Sequence, residues 1–360
     1  MKESMINYIE SQPAILQKAL DNQDTFVKPF YDIFQNNHIK RIVLFGSGTS
    51  YHVASIAAMY FNKYLPVYAT SHFPIPFVDC EKIDPAHMYK PNEILTIGIS
   101  QTGTSSSTIQ AMNYAKQQGC ISLCYSQAKD SSLAKICDTF VPIPCLEELV
   151  PPETQGYTAA LLGMYISILH ISNHMEKMQA VQDMIHTHLQ KAIDISKQWI
   201  HNNHHELIQA HKIYICGNNL NYITAQEGAI KVGETWRRVT KPQEIEEFAH
   251  FADLAMENDD NVFMIDHTGF RHERTQAVLS MIAPITKHVF TVTNAKSDNP
   301  KDCVFDFPIE DDLSVFYYVI PFQLLAATVS EWLGIDTSIY PYKEVVNIAH
   351  DDTYLLYKIK

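Results

Sequence analysis

The sequence predicts an α/β fold made twice over, each half a mostly parallel sheet flanked by helices. Short apolar runs alternate with helix-spaced stretches, the pattern of βαβ units. Turns rich in glycine and hydroxyl groups follow the first runs directly. The opening motif also returns. Lys212-Ile-Tyr-Ile-Cys216-Gly217 repeats Arg41-Ile-Val-Leu-Phe45-Gly46 at an offset of 171, with Tyr222 on Tyr51, Ala225 on Ala54 and Ala229 on Ala58. A chain of 360 residues is long enough for two such domains.

Taken in order, residues 6–20 carry apolar side chains at helical spacing and predict a helix within a leading segment, 1–30. The first domain, 31–175, opens with the strand 41–45, the turn Gly46-Ser-Gly-Thr-Ser50 and a helix over 52–62. A second strand at 93–99 leads through Ser100-Gln-Thr-Gly-Thr-Ser-Ser-Ser107 into a helix ending near Gln118. Strands at 121–125 and 139–143 enclose a short helix at 130–137, and a helix over 157–173 closes the domain. Residues 176–207 read as a helical connector without glycine. The second domain, 208–335, repeats the order: strand 212–217, helix 224–238, strand 261–266, helix 270–282, strands 288–293 and 304–309, and helix 318–333. Residues 336–360 form a C-terminal tail.

Composition narrows the function. With 27 basic against 40 acidic residues the net charge is −13, which argues against a nucleic-acid surface. The seven cysteines are scattered with no CxxC spacing, so buried free thiols are expected rather than bridges or ligands. No His/Cys/Asp cluster has metal-ligand spacing, and no cofactor is expected. The first ten residues are charged and lack the apolar core of a signal peptide. Residues 156–175 and 313–330 are apolar enough to need a membrane check. Polar groups such as Thr158, His170 and Gln323 make both read as buried core helices. A reduced, soluble, cytoplasmic protein is the expectation.

The two turns of the first half point to a phosphate. Gly46-Ser47-Gly48-Thr49-Ser50 and the loop 100–107 place small hydroxylated residues between a strand and a helix start. Backbone amides, hydroxyls and the positive end of a helix dipole together suit an anion, and no lysine is required. The sequence lacks GK[ST] after these glycines and lacks a third glycine at Tyr51, so neither a Walker loop nor a dinucleotide fingerprint is present. Ser- and Thr-rich helix caps are the rival reading. Two such loops at matching positions favour phosphate. Gly217-Asn-Asn-Leu220, the counterpart in the second half, has no hydroxyl.

FGSGTSYHVA, ISQTGTSSST and QEGAIKVGE together resemble the sugar isomerase (SIS) domain family. Over nearly its full length the chain is similar to the isomerase half of glucosamine-fructose-6-phosphate aminotransferase and to stand-alone fructoselysine-6-phosphate deglycases. The resemblance implies two tandem SIS domains, each a flavodoxin-like three-layer sandwich. It also implies that a phosphorylated sugar is held by Ser50, Ser100, Gln101, Thr102 and Ser105, with Gly48 and Thr49 beside them. Thr102 stands where the family usually has serine. Thr104 and the run 157–161 depart on the sugar side, which leaves the exact substrate open. The chain begins too close to its first strand for a glutaminase, so glutamine-dependent amidotransfer is not expected.

Glu227, Lys231 and Glu234 fall at i, i+4 and i+7 on one face of the helix 224–238. Spacing alone favours a solvated face with a weak Glu–Lys pair. The resemblance implies instead that Glu234 is the catalytic acid/base, with Glu227 and Lys231 as neighbouring site residues. It singles out His250 among 17 histidines as a site residue contributed across a dimer interface. It also suggests that Lys343, seven residues after Asp336, enters the site from the tail. Such a set implies proton transfer on a 6-phosphorylated ketosamine or aminosugar. A deglycase is favoured; aminosugar-phosphate isomerisation or deamination, and non-catalytic sugar-phosphate binding, are the alternatives. The expected assembly is a homodimer or larger, with no membrane or nucleic-acid partner.

Overall fold

β-branched and aromatic residues dominate the apolar runs, and in a computed structural model describing residues 4–342 these runs pair as parallel strands. In chain order the elements begin with α1 (Met5–Asp21), α2 (Asp24–Asn36), β1 (Arg41–Phe45), α3 (Thr49–Tyr64), β2 (Tyr68–His72) and α4 (Pro74–Cys80). They continue with β3 (Ile94–Ile99), α5 (Ser106–Gln117), β4 (Ile121–Ser126), α6 (Ser132–Ile136), β5 (Thr139–Pro142) and α7 (Gln155–Ser172). The former connector is α8 (Met178–Asp183), a π turn at Met184–His188, α9 (Leu189–Asn202) and α10 (His204–Leu207). The second copy holds β6 (Ile213–Gly217), α11 (Leu220–Trp236), β7 (Thr240–Glu244), α12 (Ile245–Ala255) and β8 (Asn261–Asp266). It ends with α13 (His272–Ile282), β9 (Val289–Thr293), β10 (Asp302–Val304) and α14 (Ser314–Trp332).

The sheets have the order β2-β1-β3-β4-β5 and β7-β6-β8-β9-β10, with every pair parallel. One topology is therefore used twice, as the repeat predicts. The second strand of each copy was not legible in sequence. β2 carries Thr70, Ser71 and His72, while β7 contains Lys241, Pro242 and Glu244. Both are edge strands, where polar residues and even proline are tolerated because one side of the ladder is unpaired. The last strand is shorter than expected and lies earlier, at 302–304 rather than 304–309.

The chain divides into two units that are not contiguous in sequence. One comprises Ala14–Glu148 and Gln155–Met178 and carries the first sheet. Its core joins Val43, Phe45, Phe77, Met112, Cys124 and Leu133. The other gathers the start of α1 through Pro13, Leu149–Thr154 and Gln179–Ile339 around the second sheet. There α14 is the central helix, and 94% of its apolar window is buried, as befits a core helix. Inside this unit Gln12 Nε2 donates to Gln323 Oε1 (2.7 Å) and Gln323 Nε2 donates to the Thr154 carbonyl (3.1 Å). Gln323 thus ties α1, α14 and the segment 149–154 together in the buried interior of this unit. The cysteines are free thiols, four of them buried; burial pushes Cys120 up to about 11.

The turn after the first strand is the same in both copies. A Cβ at Gly46 would lie 2.6 Å from the Ser50 carbonyl, and one at Gly217 would lie 2.2 Å from the Asn221 oxygen. Two residues on, Gly48 has φ 57°, ψ −131°, a region open essentially to glycine alone. Its counterpart Asn219 adopts φ 49°, ψ −132° despite its side chain. Strain of this kind costs about 1–3 kcal/mol, partly offset by glycine's freedom in the unfolded chain. Asn219→Gly is therefore expected to stabilise the protein by about 1 kcal/mol in urea unfolding; a loss of stability would contradict the strain.

Candidate active site

In a parallel sheet of order 2-1-3-4-5 the strand order reverses between β1 and β3, and ligands sit outside the carboxyl ends of those strands. The loops that follow β1 and β3 are the two hydroxyl-rich turns. They meet: Ser47 Oγ lies 3.3 Å from Ser107 Oγ. Gly48 and Ser105 occupy the N-cap positions of α3 and α5, and neither provides a side-chain cap. At neither cap position, therefore, does a hydroxyl cap the helix.

Around this crevice Ser100 is buried, with its Oγ accepting from the Gly103 amide at 3.1 Å. Thr102 Oγ1 pairs with Thr104 Oγ1 at 2.8 Å, and Ser105 Oγ lies 3.3 Å from Ser107 Oγ. Thr49 and Ser50 form the first turn of α3 and are partly exposed. Gly103 has φ 69°, and a Cβ there would lie 2.1 Å from Ser131 Oγ, so the loop tolerates only glycine at this point. Gln101 is placed differently from the hydroxyls. Its Nε2 donates to Cys145 Sγ at 3.5 Å and would meet a Cβ on Gly156 at 2.3 Å, so its amide packs against the start of α7.

The acid–base residues belong to the other unit. On α11, Glu227 and Lys231 are buried, contrary to the solvated face that spacing alone favours. Lys231 Nζ donates to Glu234 Oε1 at 2.7 Å and lies 3.7 Å from Glu227 Oε1. Burial alone disfavours the ammonium. Glu234, then Glu227, and more weakly Glu153 outweigh it and raise the Lys231 pKa. The side-chain exposures are 0% for Glu227, 3% for Lys231 and 38% for Glu234, so only Glu234 presents its carboxylate to solvent. Sequence reading passed over Glu153, which has no spacing relation to α11 and is brought to it by the fold. The glycines of this helix serve packing: Phe322 fills the face of Gly228 and Thr240 that of Gly233, each 2.8 Å from where a Cβ would stand.

His250 is exposed on α12, and among the described residues no hydrogen bond or ion pair joins it to Glu227, Lys231 or Glu234. Lys343 lies outside the described residues.

The second copy's counterpart turns are closed rather than open. Asn218 Nδ2 donates to the Phe270 carbonyl at 3.0 Å, bridging the loops after β6 and β8. His267 Nε2 lies 3.0 Å from Asp311 Oδ1, and a Cβ on Gly269 would lie 2.0 Å from that oxygen. A carboxylate of the chain already sits on this loop and would repel a phosphate. Among the described residues the open, hydroxyl-lined crevice belongs to the first copy.

Comparison with known proteins agrees with this architecture. The SIS domain profile matches residues 37–170 and 206–329. The chain is 22% identical over 358 residues to glutamine–fructose-6-phosphate aminotransferase [isomerizing] of Gloeobacter violaceus, covering 92% of this chain and 56% of that protein. It thus spans about half the length of such relatives. In structure it resembles a Clostridium difficile 630 protein assigned as a phosphosugar isomerase, with a TM-score of 0.85, 24% identity, and 94% of this chain and 96% of that one covered. It also resembles glucosamine-6-phosphate deaminase of Thermotoga maritima, with a TM-score of 0.70, 17% identity, and 91% and 98% covered. Both matched segments coincide with the two parallel sheets, and the chain belongs to the SIS domain family.

Proposed function

We propose that the chain is an enzyme acting on a 6-phosphorylated sugar, and that its reaction is deglycation of a 6-phospho-fructosamine. The observation that carries the substrate class is the meeting of two hydroxyl-lined helix N-termini at the strand-order switch point, joined at Ser47 and Ser107. Amides and hydroxyls of Ser50, Ser100, Thr102 and Ser105 hold the phosphate. Glu234 is the acid/base, because it is the one exposed carboxylate of the α11 cluster. The aminotransferase relative is named for fructose 6-phosphate, and a 6-phospho-fructosamine is that skeleton bearing an amine.

The proton balance is simple. Glu234 takes a proton from C1, and the C–H electron pair moves toward the C2 carbonyl to give an enaminol. Return of a proton to C2 produces the aldose imine. Water then adds across the C=N bond, releasing the amine and an aldose 6-phosphate. His250, exposed and supplied by a second copy of the chain, protonates the ring oxygen during opening or the departing amine.

Incubation with fructoselysine 6-phosphate is expected to release lysine, with inorganic phosphate as competitor. Release of ammonia from glucosamine 6-phosphate instead would replace deglycation with deamination, and turnover of neither would remove the enzymatic reading. A chain that turns over substrate as a monomer in sedimentation would remove the role given to His250.

A further inference from the structure

The two sheets are built in the same register, so their faces compare residue by residue. Across the first sheet Phe45, Gly98, Cys124 and Phe140 form one row; across the second the same row is Cys216, Met264, Thr291 and Asp302. In the first copy this end of the row is apolar, covered by α6. Leu133 of that helix joins Cys124 in the core, with Phe140 packed against them. In the second copy no helix forms between β9 and β10. Thr291 and Asp302 face a groove of about 620 Å³ instead.

Polar side chains line the floor of the groove, with Leu279 and Val289 among its apolar walls. Asp266, the last residue of β8, is its second carboxylate; 1% of its side chain is exposed, and it is held by His272 Nδ1 at 2.9 Å and Gln276 Nε2 at 2.7 Å. Asp302 is likewise oriented, accepting from Ser297 Oγ and from Asn299 Nδ2 at 3.1 Å. Lys287 and Lys296, both exposed, stand on the rim. Replacing an apolar row and its covering helix by carboxylates and hydroxyls costs stability unless polar matter fills the space. The volume suits one small ligand. A carboxylate oxygen facing the groove accepts hydrogen bonds, so Asp302 suits a ligand that donates them, while the rim ammonium groups supply a point charge for an anion.

We propose that this groove binds a phosphorylated sugar ring, its hydroxyls on Asp302 and its phosphate at Lys287 and Lys296. The ring can come from a free sugar phosphate or from the ribose phosphate of a nucleotide. The proposal is independent of the first-copy crevice and of the reaction assigned to it.

Equilibrium dialysis of the full chain with glucose 6-phosphate and, separately, adenosine 5′-monophosphate tests it. The parent, Asp302→Ala and Lys296→Glu are compared, each also carrying Ser50→Ala and Ser100→Ala to suppress the first-copy loops. At least one probe is expected to bind the parent and to weaken by at least about tenfold in both groove variants, as loss of a charged hydrogen bond implies. The probe affected identifies the source of the ring. Lys296 is a surface residue, so its variant remains informative if Asp302→Ala fails to fold. Absence of binding of either probe, or parent-like binding by Lys296→Glu, overturns the proposal.

Discussion

Glu234→Gln is expected to leave the chain folded and able to hold its sugar phosphate while lowering turnover by about 10²–10⁴-fold, the range for a lost general acid/base. Glutamine keeps the shape and still accepts a hydrogen bond from Lys231 Nζ, which the carboxylate receives at 2.7 Å. What it cannot do is take and return a proton. The other carboxylate of α11, Glu227, is fully buried and cannot take over. The measurement pairs a turnover assay with binding of the same substrate. Turnover within tenfold of the parent would show that the proton moves through another group. Loss of binding with nothing else changed would point to a sensor rather than an enzyme.

Lys231→Met is expected to destabilise the fold by about 3–5 kcal/mol, the cost of removing one partner from a buried ion pair. The ammonium stands 3.7 Å from Glu227 Oε1, and that carboxylate is shut off from water. Without the lysine its charge stays in a low-dielectric interior with a neighbouring counter-charge gone. The partner substitution supplies the control: Glu227→Gln combined with Lys231→Met should recover most of the loss, because the buried charge goes with its counterion. Urea unfolding of the single and double variants measures both. A single-variant loss of less than about 1 kcal/mol would mean that water reaches Glu227 in solution.

Much of this architecture could be read from the chain. Strands 41–45, 94–99, 121–126 and 261–266 announce themselves as apolar runs because both their faces are covered, which favours hydrophobic residues on both faces rather than on alternate positions. The edge strands β2 and β7 escaped for the opposite reason. Covered less and paired on one side, they can carry His72 or Pro242 without penalty. α14 passed for a possible span only on composition; its burial within the second unit makes it a core helix.

The site divides in the same way. Small hydroxylated residues between strand and helix are a local signal, since the turn geometry that exposes amides to an anion is set within a few residues. The Glu227–Lys231–Glu234 spacing is local as well, but its meaning is not. Whether an i, i+4, i+7 face is solvated or buried depends on what packs against α11, and contacts such as Phe322 against Gly228 or the Trp236 indole donating to the Leu325 carbonyl exist only in three dimensions. The closing of the second copy's turns by Asn218 and Asp311, the approach of Glu153 to Lys231, and the polar groove left by a missing helix are likewise contacts between distant segments. The sequence by itself determined a twice-built parallel α/β fold with one hydroxyl-rich pair of loops, because periodicity and turn chemistry act over short range. Only the tertiary structure decided which charges are buried, which turn is occupied and where space remains, because burial is a property of what lies opposite in space.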